Sequence, residues 1–367
     1  MKPEIEYRCW AEIDQDALRA NARLVRERLG RSVELLAVIK ANGYGHGMVG
    51  VAKALTTEVQ FFGVANLEEA TTLRAEVSQP IIILGPALPG ERKAIAAGGF
   101  IPSISTFEEA TEFDRLAGRE PVAVNMVIDT GMGRMGVVQR DAIALFKKVA
   151  ALAKIEIQSL STHLPVSNED PEFTRAELEQ FGEVIGTLRK EFPGRYRVHV
   201  LPSAGVLAYS QSPFEIVRVG LILYGIAPLP GFENLLRPVM TWKTRIALIR
   251  DMPKGHGISY GRTFVTPRAM RVATLSAGYA DGYPRHLSNR DAAVLVRGKR
   301  CPLLGRVTMD LMMIDVSNVD AEINDEVVLM GRQGDEEISA VELAERAGTI
   351  SWEIITRIGK RVRRIYI

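Results

Sequence analysis

The stretch Leu35–Gly47, LLAVIKANGYGHG, decides how the rest of the chain is read. Five apolar residues, Leu35 to Ile39, end in Lys40, and a glycine-rich turn follows at once. A short continuous apolar run bounded by a turn is the pattern of a strand covered on both faces, as in a parallel sheet packed under helices. A lysine closing such a strand ordinarily carries its ammonium out to solvent. At the strand ends of a closed α/β barrel, where active sites gather, the same amine becomes a candidate nucleophile or base.

The residues downstream repeat the pattern. The β-rich runs are VELLAVIK, QFFGVAN, PIIIL, IPSIS, VAVNMVID, IEIQSLSTH, RVHVLPS and EIVRVGLILYG, all before about residue 230. Between most of them lie amphipathic segments such as LEEATTLRAEV, TFEEATEFDRLA and TRAELEQFGEVIGTLRKEF. That alternation implies parallel strands with helical crossovers, and about eight units favour a closed barrel over an open sheet. After Pro238 the rhythm changes. VMTWKTRIALIRDM, MRVATLSAGY, AAVLVRG and EVVLMG read as strands joined by Gly, Pro and Asp turns, with SAVELAERAG and SWEIITRIG as helical exceptions. The expected fold class is α/β: an N-terminal (β/α)8 TIM-type barrel over residues 1–237, then a mainly antiparallel β-domain over 238–367. Residues 1–10 are candidates to pair with that second domain, and the C-terminal GKRVRRIYI reads as an edge strand.

Composition narrows the function. A net charge of +2 gives no electrostatic reason to expect nucleic acid or an anionic membrane as partner. No apolar run approaches the ~20 residues that cross a bilayer. The N-terminal MKPEIEYRCWAEID lacks the apolar core of a signal peptide, so the expected location is the cytoplasm. Cys9, Cys301 and the 5 histidines show no metal-type spacing, so no metal site is expected.

Two glycine patterns formally match a dinucleotide fingerprint: Gly45, Gly47 and Gly50, and Gly131, Gly133 and Gly136 in DTGMGRMG. Neither sits where a pyrophosphate loop needs it. The first glycine should close the strand, and the next strand should end in an acid, whereas FFGVAN ends in Asn66.

In a barrel, the C-terminal strand ends converge on one pocket. Here they deliver Lys40 with Tyr44 close behind, then Arg134, His163, Ser203, and Arg218 followed by Gly220 and Leu221. One lysine, one histidine, two arginines and small phosphate-type donors suit pyridoxal phosphate. That cofactor needs an amine for its aldehyde, a partner for its ring nitrogen and donors for its phosphate. An arginine rather than a carboxylate at the ring nitrogen would keep it unprotonated. The ring is then a weaker electron sink, which suits a reaction that removes one Cα proton and replaces it.

AVIKANGYGHG, DTGMGRMG, THLP, VRVGLILYG, ISYGRTF, AGYADGYPR and GRVTMDLMMIDV together, in that order, resemble the alanine racemase family of fold-type III pyridoxal-phosphate enzymes. The resemblance spans nearly the whole chain. It implies a homodimeric isomerase that interconverts L- and D-alanine for cell-wall peptidoglycan. Lys40 would bind the cofactor and act as one base. Tyr260 would be the second base, reaching the site from the other subunit, with His163 joining it to Arg218 at the ring nitrogen. Tyr44, Ser203, Gly220 and Leu221 match phosphate-binding positions. Arg134, Met309 and Asp310 match the substrate-carboxylate region, and Tyr279 matches the entry corridor. A serine or broad-specificity racemase is the nearest rival, with a fold-type III decarboxylase or a cofactor carrier behind it.

The chain departs from the family at three places. Val127 stands where a carbamylated lysine is common, Pro202 precedes Ser203 where asparagine is common, and Lys360 stands where a phosphate-contacting tyrosine can occur. Arg134 then needs another counter-charge. A small anion, Asn125 and the cofactor's phenolic oxygen are the candidates.

Overall fold

The computed structural model describes residues 7–30, 32–194, 196–209 and 214–367. The chain forms two compact units. One is Leu18–Gly43 with Met48–Arg237; the other takes the N-terminal residues through Ala17, Tyr44–Gly47 and Pro238–Ile367. The first strand, β1 (Cys9–Ile13), belongs to the second unit.

The first unit is a closed parallel barrel. Its strands are β2 (Glu34–Val38), β3 (Phe61–Val64), β4 (Ile81–Pro86), β5 (Ile101–Ile104) and β6 (Val122–Asp129), with the two-residue β7 (Val137–Val138) beside β6. The ring continues through β8 (Ile155–Ser161), β9 (Arg197–His199) and β10 (Ile216–Val219), which pairs back onto β2. With β5 also paired to β6, the ring has no free edge. The eight runs picked out in the sequence are these eight strands. Burial is nearly continuous along β2, β3 and β5, because helices cover one face and barrel side chains the other.

The crossovers begin where the sequence supplies caps. Thr106 and Glu109 form a reciprocal capping box at the helix Phe107–Leu116, and Asp170 caps the helix Pro171–Glu191, whose first residue is proline. The second of these buries Phe181, Val184, Ile185 and Leu188. Not all the barrel interior is apolar. The Asn125 amide donates to Ser103 Oγ at 3.1 Å, and its Oδ1 accepts from Ser159 Oγ at 3.0 Å and lies 3.0 Å from His199 Nε2.

Two strand ends differ from expectation. The run VELLAVIK stops pairing at Val38, so Lys40 opens the following turn rather than closing the strand. The run EIVRVGLILYG is a strand only to Val219; Leu221–Tyr224 tightens into a 3-10 turn, stopped by Gly225 at φ 79°. In both cases the chain must leave the barrel mouth, and a local turn does so sooner than the apolar pattern suggests.

The second unit is a β-domain of β1 with β11 (Met240–Met252), β12 (Gly257–Ile258), β13 (Phe264–Val265), β14 (Met270–Leu275), β15 (Ala293–Val296), β16 (Lys299–Pro302), β17 (Met312–Asp315), β18 (Glu326–Gln333), β19 (Glu336–Ile338) and β20 (Arg363–Tyr366). Its main sheet runs β16-β15-β18-β11-β1-β20, with β14 on the far half of β11. Every pairing is antiparallel except that of β1 with β20. The basic C-terminal run is thus an edge strand. Of residues 1–10, expected to pair here, Cys9 and Trp10 do so, the pairing runs on through Ile13, and positions 1–6 lie outside the described residues.

β11 alternates buried and half-buried residues over its first half, the signature of a sheet with one face in a core. Trp242 on that face is fully buried; its indole N–H donates to Cys9 Sγ at 3.1 Å and its ring packs 5.9 Å from Tyr283. Burial, with the nearby Asp281 charge, pushes the Cys9 thiol up to about 12. Cys9 and Cys301 are both buried free thiols. Among the described residues, no helix is long and apolar enough to cross a membrane.

Candidate active site

Lys40 opens a turn of the wrong hand. Ala41, Asn42, Gly43 and Tyr44 have φ of 51°, 54°, 63° and 50°, and the turn closes with Gly43 N donating to Ile39 O at 2.7 Å. Left-handed geometry costs roughly 1–2 kcal/mol for each residue that is not glycine. The surroundings hold it there. Both oxygens of the Glu69 carboxylate accept backbone protons at 2.8 Å, one from Ala41 and the other from Ala65. Asn42 Oδ1 accepts from Met48 N at 3.1 Å. Glu69 is itself fixed in the first turn of the helix Leu67–Arg74, whose Asn66 cap accepts from Glu69 N.

This setting lowers the pKa of Lys40 from its ordinary value. Burial is the main cause, the Arg134 and Arg218 charges add to it, and Glu69 opposes. An amine so placed is more easily neutral, as a base must be.

Arg218 is tied down on three sides. Its Nη2 shares two protons among three acceptors, the carbonyl of Thr162, that of Val200 at 3.1 Å, and His163 Nδ1 at 3.1 Å. Burial, with Arg134 nearby, brings its pKa down to about 10, so it remains a cation at neutral pH. Burial together with Arg218, Arg134 and Lys40 drives His163 down to about 3. His163 is therefore a neutral imidazole. Since Nδ1 accepts from a guanidinium, the ring proton must sit on Nε2, and His163 offers an N–H on its far side.

Ser203 opens the helix Ser203–Ala208 and its Oγ accepts from Gly220 N at 3.1 Å and Ile222 N at 3.4 Å. Those bonds join the end of β9 to the Gly220–Leu221 corner after β10. Pro202, ahead of Ser203, makes no side-chain cap. Burial pushes the Tyr44 phenol up to about 12, so its hydroxyl keeps its proton and remains a donor.

Arg134 is exposed, on a loop organised by Asp129, whose carboxylate accepts from Gly131 N and Gly133 N. Two of the three glycines in this dinucleotide-like pattern thus wrap a carboxylate, while Gly136 N donates to Ser105 Oγ at 2.9 Å. Val127 is buried and brings no charge. Asn125 does not serve Arg134, because its amide is committed to Ser103, Ser159 and His199. The barrel strand ends therefore gather Lys40, Arg134 and Arg218: the Arg134 charge lowers the pKa of both Lys40 and Arg218, Arg218 also lowers that of Lys40, and the Glu69 carboxylate opposes the effect on Lys40. A phosphorylated aldehyde fits this donor set, since it brings both anionic charge and a group that reacts with an amine.

The remaining candidates lie in the β-domain. Tyr260 sits between β12 and β13 in a tight turn, with Ser259 at φ 62° and Gly261 at φ 73°, and is 72 % exposed. Ser259 Oγ donates to Arg306 O at 2.6 Å, which fixes this turn to the segment leading into Met309 and Asp310. Tyr279 N donates to Thr308 O and Ala280 N to Met309 O, both at 3.0 Å, so Tyr279, Met309 and Asp310 share one loop pair. Tyr279 and Met309 are exposed as well. Lys360 is exposed.

Sequence reasoning missed three parts of this arrangement: Glu69 under the Lys40 turn, the Thr162 and Val200 carbonyls on Arg218, and Arg361, which pairs with Asp310. Glu69 had a local signal, the Asn66-x-x-Glu69 capping pattern. The carbonyls had none.

Known proteins share this arrangement of domains. The family model for the alanine racemase N-terminal domain matches residues 13–228, and that for the C-terminal domain matches residues 239–366. The alanine racemase of Halothermothrix orenii is 42% identical over 100% of this chain and 98% of its own length. The Bacillus anthracis alanine racemase solved with bound L-Ala-P superposes with a TM-score of 0.91 at 35% identity, covering 99% of this chain and 96% of that one. The Bartonella henselae alanine racemase with covalently bound pyridoxal phosphate gives 0.89 at 29% identity, covering 99% and 100%. A charged lysine pocket in a parallel barrel, a β-domain carrying an exposed tyrosine and full-length identity over both parts lead to one conclusion: the chain belongs to the alanine racemase family.

Proposed function

We propose that this protein is a pyridoxal-phosphate-dependent alanine racemase, a cytoplasmic homodimer that interconverts L- and D-alanine and supplies D-alanine for peptidoglycan. The observation that carries the reading is the Arg218–His163 contact, which sits in the same cationic pocket as Lys40. Pyridoxal phosphate, when bound, withdraws electrons from the substrate Cα and so eases loss of its proton.

Each residue then has a task. Lys40 would hold the resting cofactor through its amine and, once displaced by the substrate's amine, would exchange a proton with one face of Cα, serving the D-enantiomer. Arg218 would stand at the ring nitrogen, where a fixed cation would disfavour protonation. Tyr44, Ser203, Gly220 and Leu221 would hold the phosphate. Arg134 faces the substrate carboxylate. The second base, Tyr260, serves the L-enantiomer and comes from the partner subunit, as do Met309, Asp310 and Tyr279; the exposure of Tyr260 supports that assignment. Inversion requires proton removal from one face and delivery to the other, so two bases must flank the reacting carbon. A free tyrosine has a pKa of ~10 and is a poor base near neutrality. The Nε2–H of neutral His163 can donate to its phenolate, with the Arg218 cation behind, and so favour the charged form.

One panel of L-amino acids in deuterium oxide tests the reading, scored for Cα exchange and for inversion. Alanine should exchange and invert well ahead of serine; exchange without inversion, or a preference for another side chain, would overturn it.

A further inference from the structure

Arg361 links three segments of the β-domain. Its Nε donates to Asp281 Oδ1 at 2.6 Å, and its Nη2 donates to Asp281 Oδ2 at 2.9 Å and to Asp310 Oδ1 at 2.8 Å. Asp281 is 3 % exposed and also accepts from Gly278 N at 2.8 Å, while its carbonyl accepts from Gly359 N at 2.9 Å. The backbones beneath are in close approach. A Cβ on Gly278 would lie 2.4 Å from both the Thr308 and the Met309 carbonyl oxygens. One guanidinium therefore pins the turn that carries Tyr279, the segment that carries Met309 and Asp310, and the chain entering β20.

We infer that Arg361 is a positioning residue for substrate binding, which acts by neutralising Asp310 and fixing the Thr308–Leu311 segment on the buried Asp281. This rests on the racemase reading, in which Met309 and Asp310 border the substrate carboxylate. An unpaired Asp310 carboxylate would repel that group. Paired with Arg361, it does not, and the segment keeps one geometry. A bidentate arginine suits the task because a single planar fork meets Asp281 while leaving Nη2 within reach of Asp310.

Removing Arg361 alone would strand the buried Asp281 charge, so the test replaces both partners. The Asp281→Asn/Arg361→Gln protein keeps an acceptor for Gly278 N and frees Asp310 of its cation. The holoenzyme should show KM for L-alanine raised about tenfold with kcat within about twofold. Adding Asp310→Asn should bring KM part of the way back, since the repelling charge is gone while the segment stays unclamped. An unchanged KM in the double variant, or no recovery in the triple, overturns the assignment. Hydrogen exchange supplies a readout free of turnover: amides of Thr308–Leu311 should exchange faster in the double variant, and equal protection would overturn the clamp. A parent that does not racemise alanine defeats the racemase reading instead, and the exchange comparison then decides the clamp alone.

Discussion

Arg218 Nη2 lies 3.1 Å from His163 Nδ1, and this one contact fixes which nitrogen of the imidazole carries the proton. It also makes the imidazole hard to charge. In the cofactor-free chain the His163 carbon resonances should not titrate between pH 8 and pH 5. A midpoint near the ordinary 6.5 would disprove the burial assigned to it. The linkage follows in sign. Folding lowers this pKa from 6.5 to about 3, so the unfolded chain binds the extra proton first. Its contribution to stability is complete above 6.5 and is lost as pH falls through that window. His199 is depressed in the same direction, so the measurement is a difference: His163→Asn should show a shallower acid loss than the parent.

Borohydride treatment of the yellow holoenzyme should leave the cofactor on Lys40. Peptide mass spectrometry locating it on any other lysine would refute the role given to the turn after β2.

Tyr260→Phe should bind the cofactor normally yet lose inversion, with proton abstraction from L-alanine slowed by at least about a hundredfold. Lys40→Ala should be inactive. Mixed after subunit exchange, the two inactive proteins should recover activity, because one site in each mixed dimer has both bases. Recovery is the expected result only if the bases come from different chains.

Much of this was legible in the sequence, and the parts that were not share a cause. Strand number, the domain change near Pro238 and the edge strand Arg363–Tyr366 follow from hydrophobic period and turn residues, which are local properties. Lys40, His163 and Arg218 were singled out because a barrel sends its strand ends to one place. The hand of the turn after Lys40 was only half visible: Asn42 and Gly43 favour a left-handed backbone, but Ala41 and Tyr44 do not. Asn125 was weighed as a partner for Arg134, but its neighbours Ser103, Ser159 and His199 come from other strands, and only the closed barrel brings them together. Arg361 stood in a run that read as an ordinary basic edge.

Glu69→Ala removes two charge-assisted bonds and should cost about 2–4 kcal/mol, with weaker cofactor retention. Glu69→Gln keeps one acceptor and should fall between the two. Thermal melts with cofactor titration decide this; a Glu69→Ala protein as stable as the parent would mean the turn holds itself.

Val127 leaves Arg134 without a carbamate, and Asn125 is committed elsewhere. A small anion is the expected substitute. Activity should be indifferent to removal of carbon dioxide, while KM for alanine should rise in chloride-free buffer at low ionic strength. Constant kinetics in both conditions would leave the cofactor's oxygen as the counter-charge.

The left-handed turn after β2 also sets an order of assembly. Its strain is relieved by a carboxylate 28 residues further along the chain, on a helix that follows the next strand. A nascent chain that has emerged only as far as Tyr44 holds Lys40 in whatever right-handed conformations its neighbours prefer. The Lys40 turn gains its Glu69 bond only when Glu69 has been synthesised, its helix has docked and β3 has joined β2. The geometry at Lys40 is thus withheld from fragments and granted by the barrel.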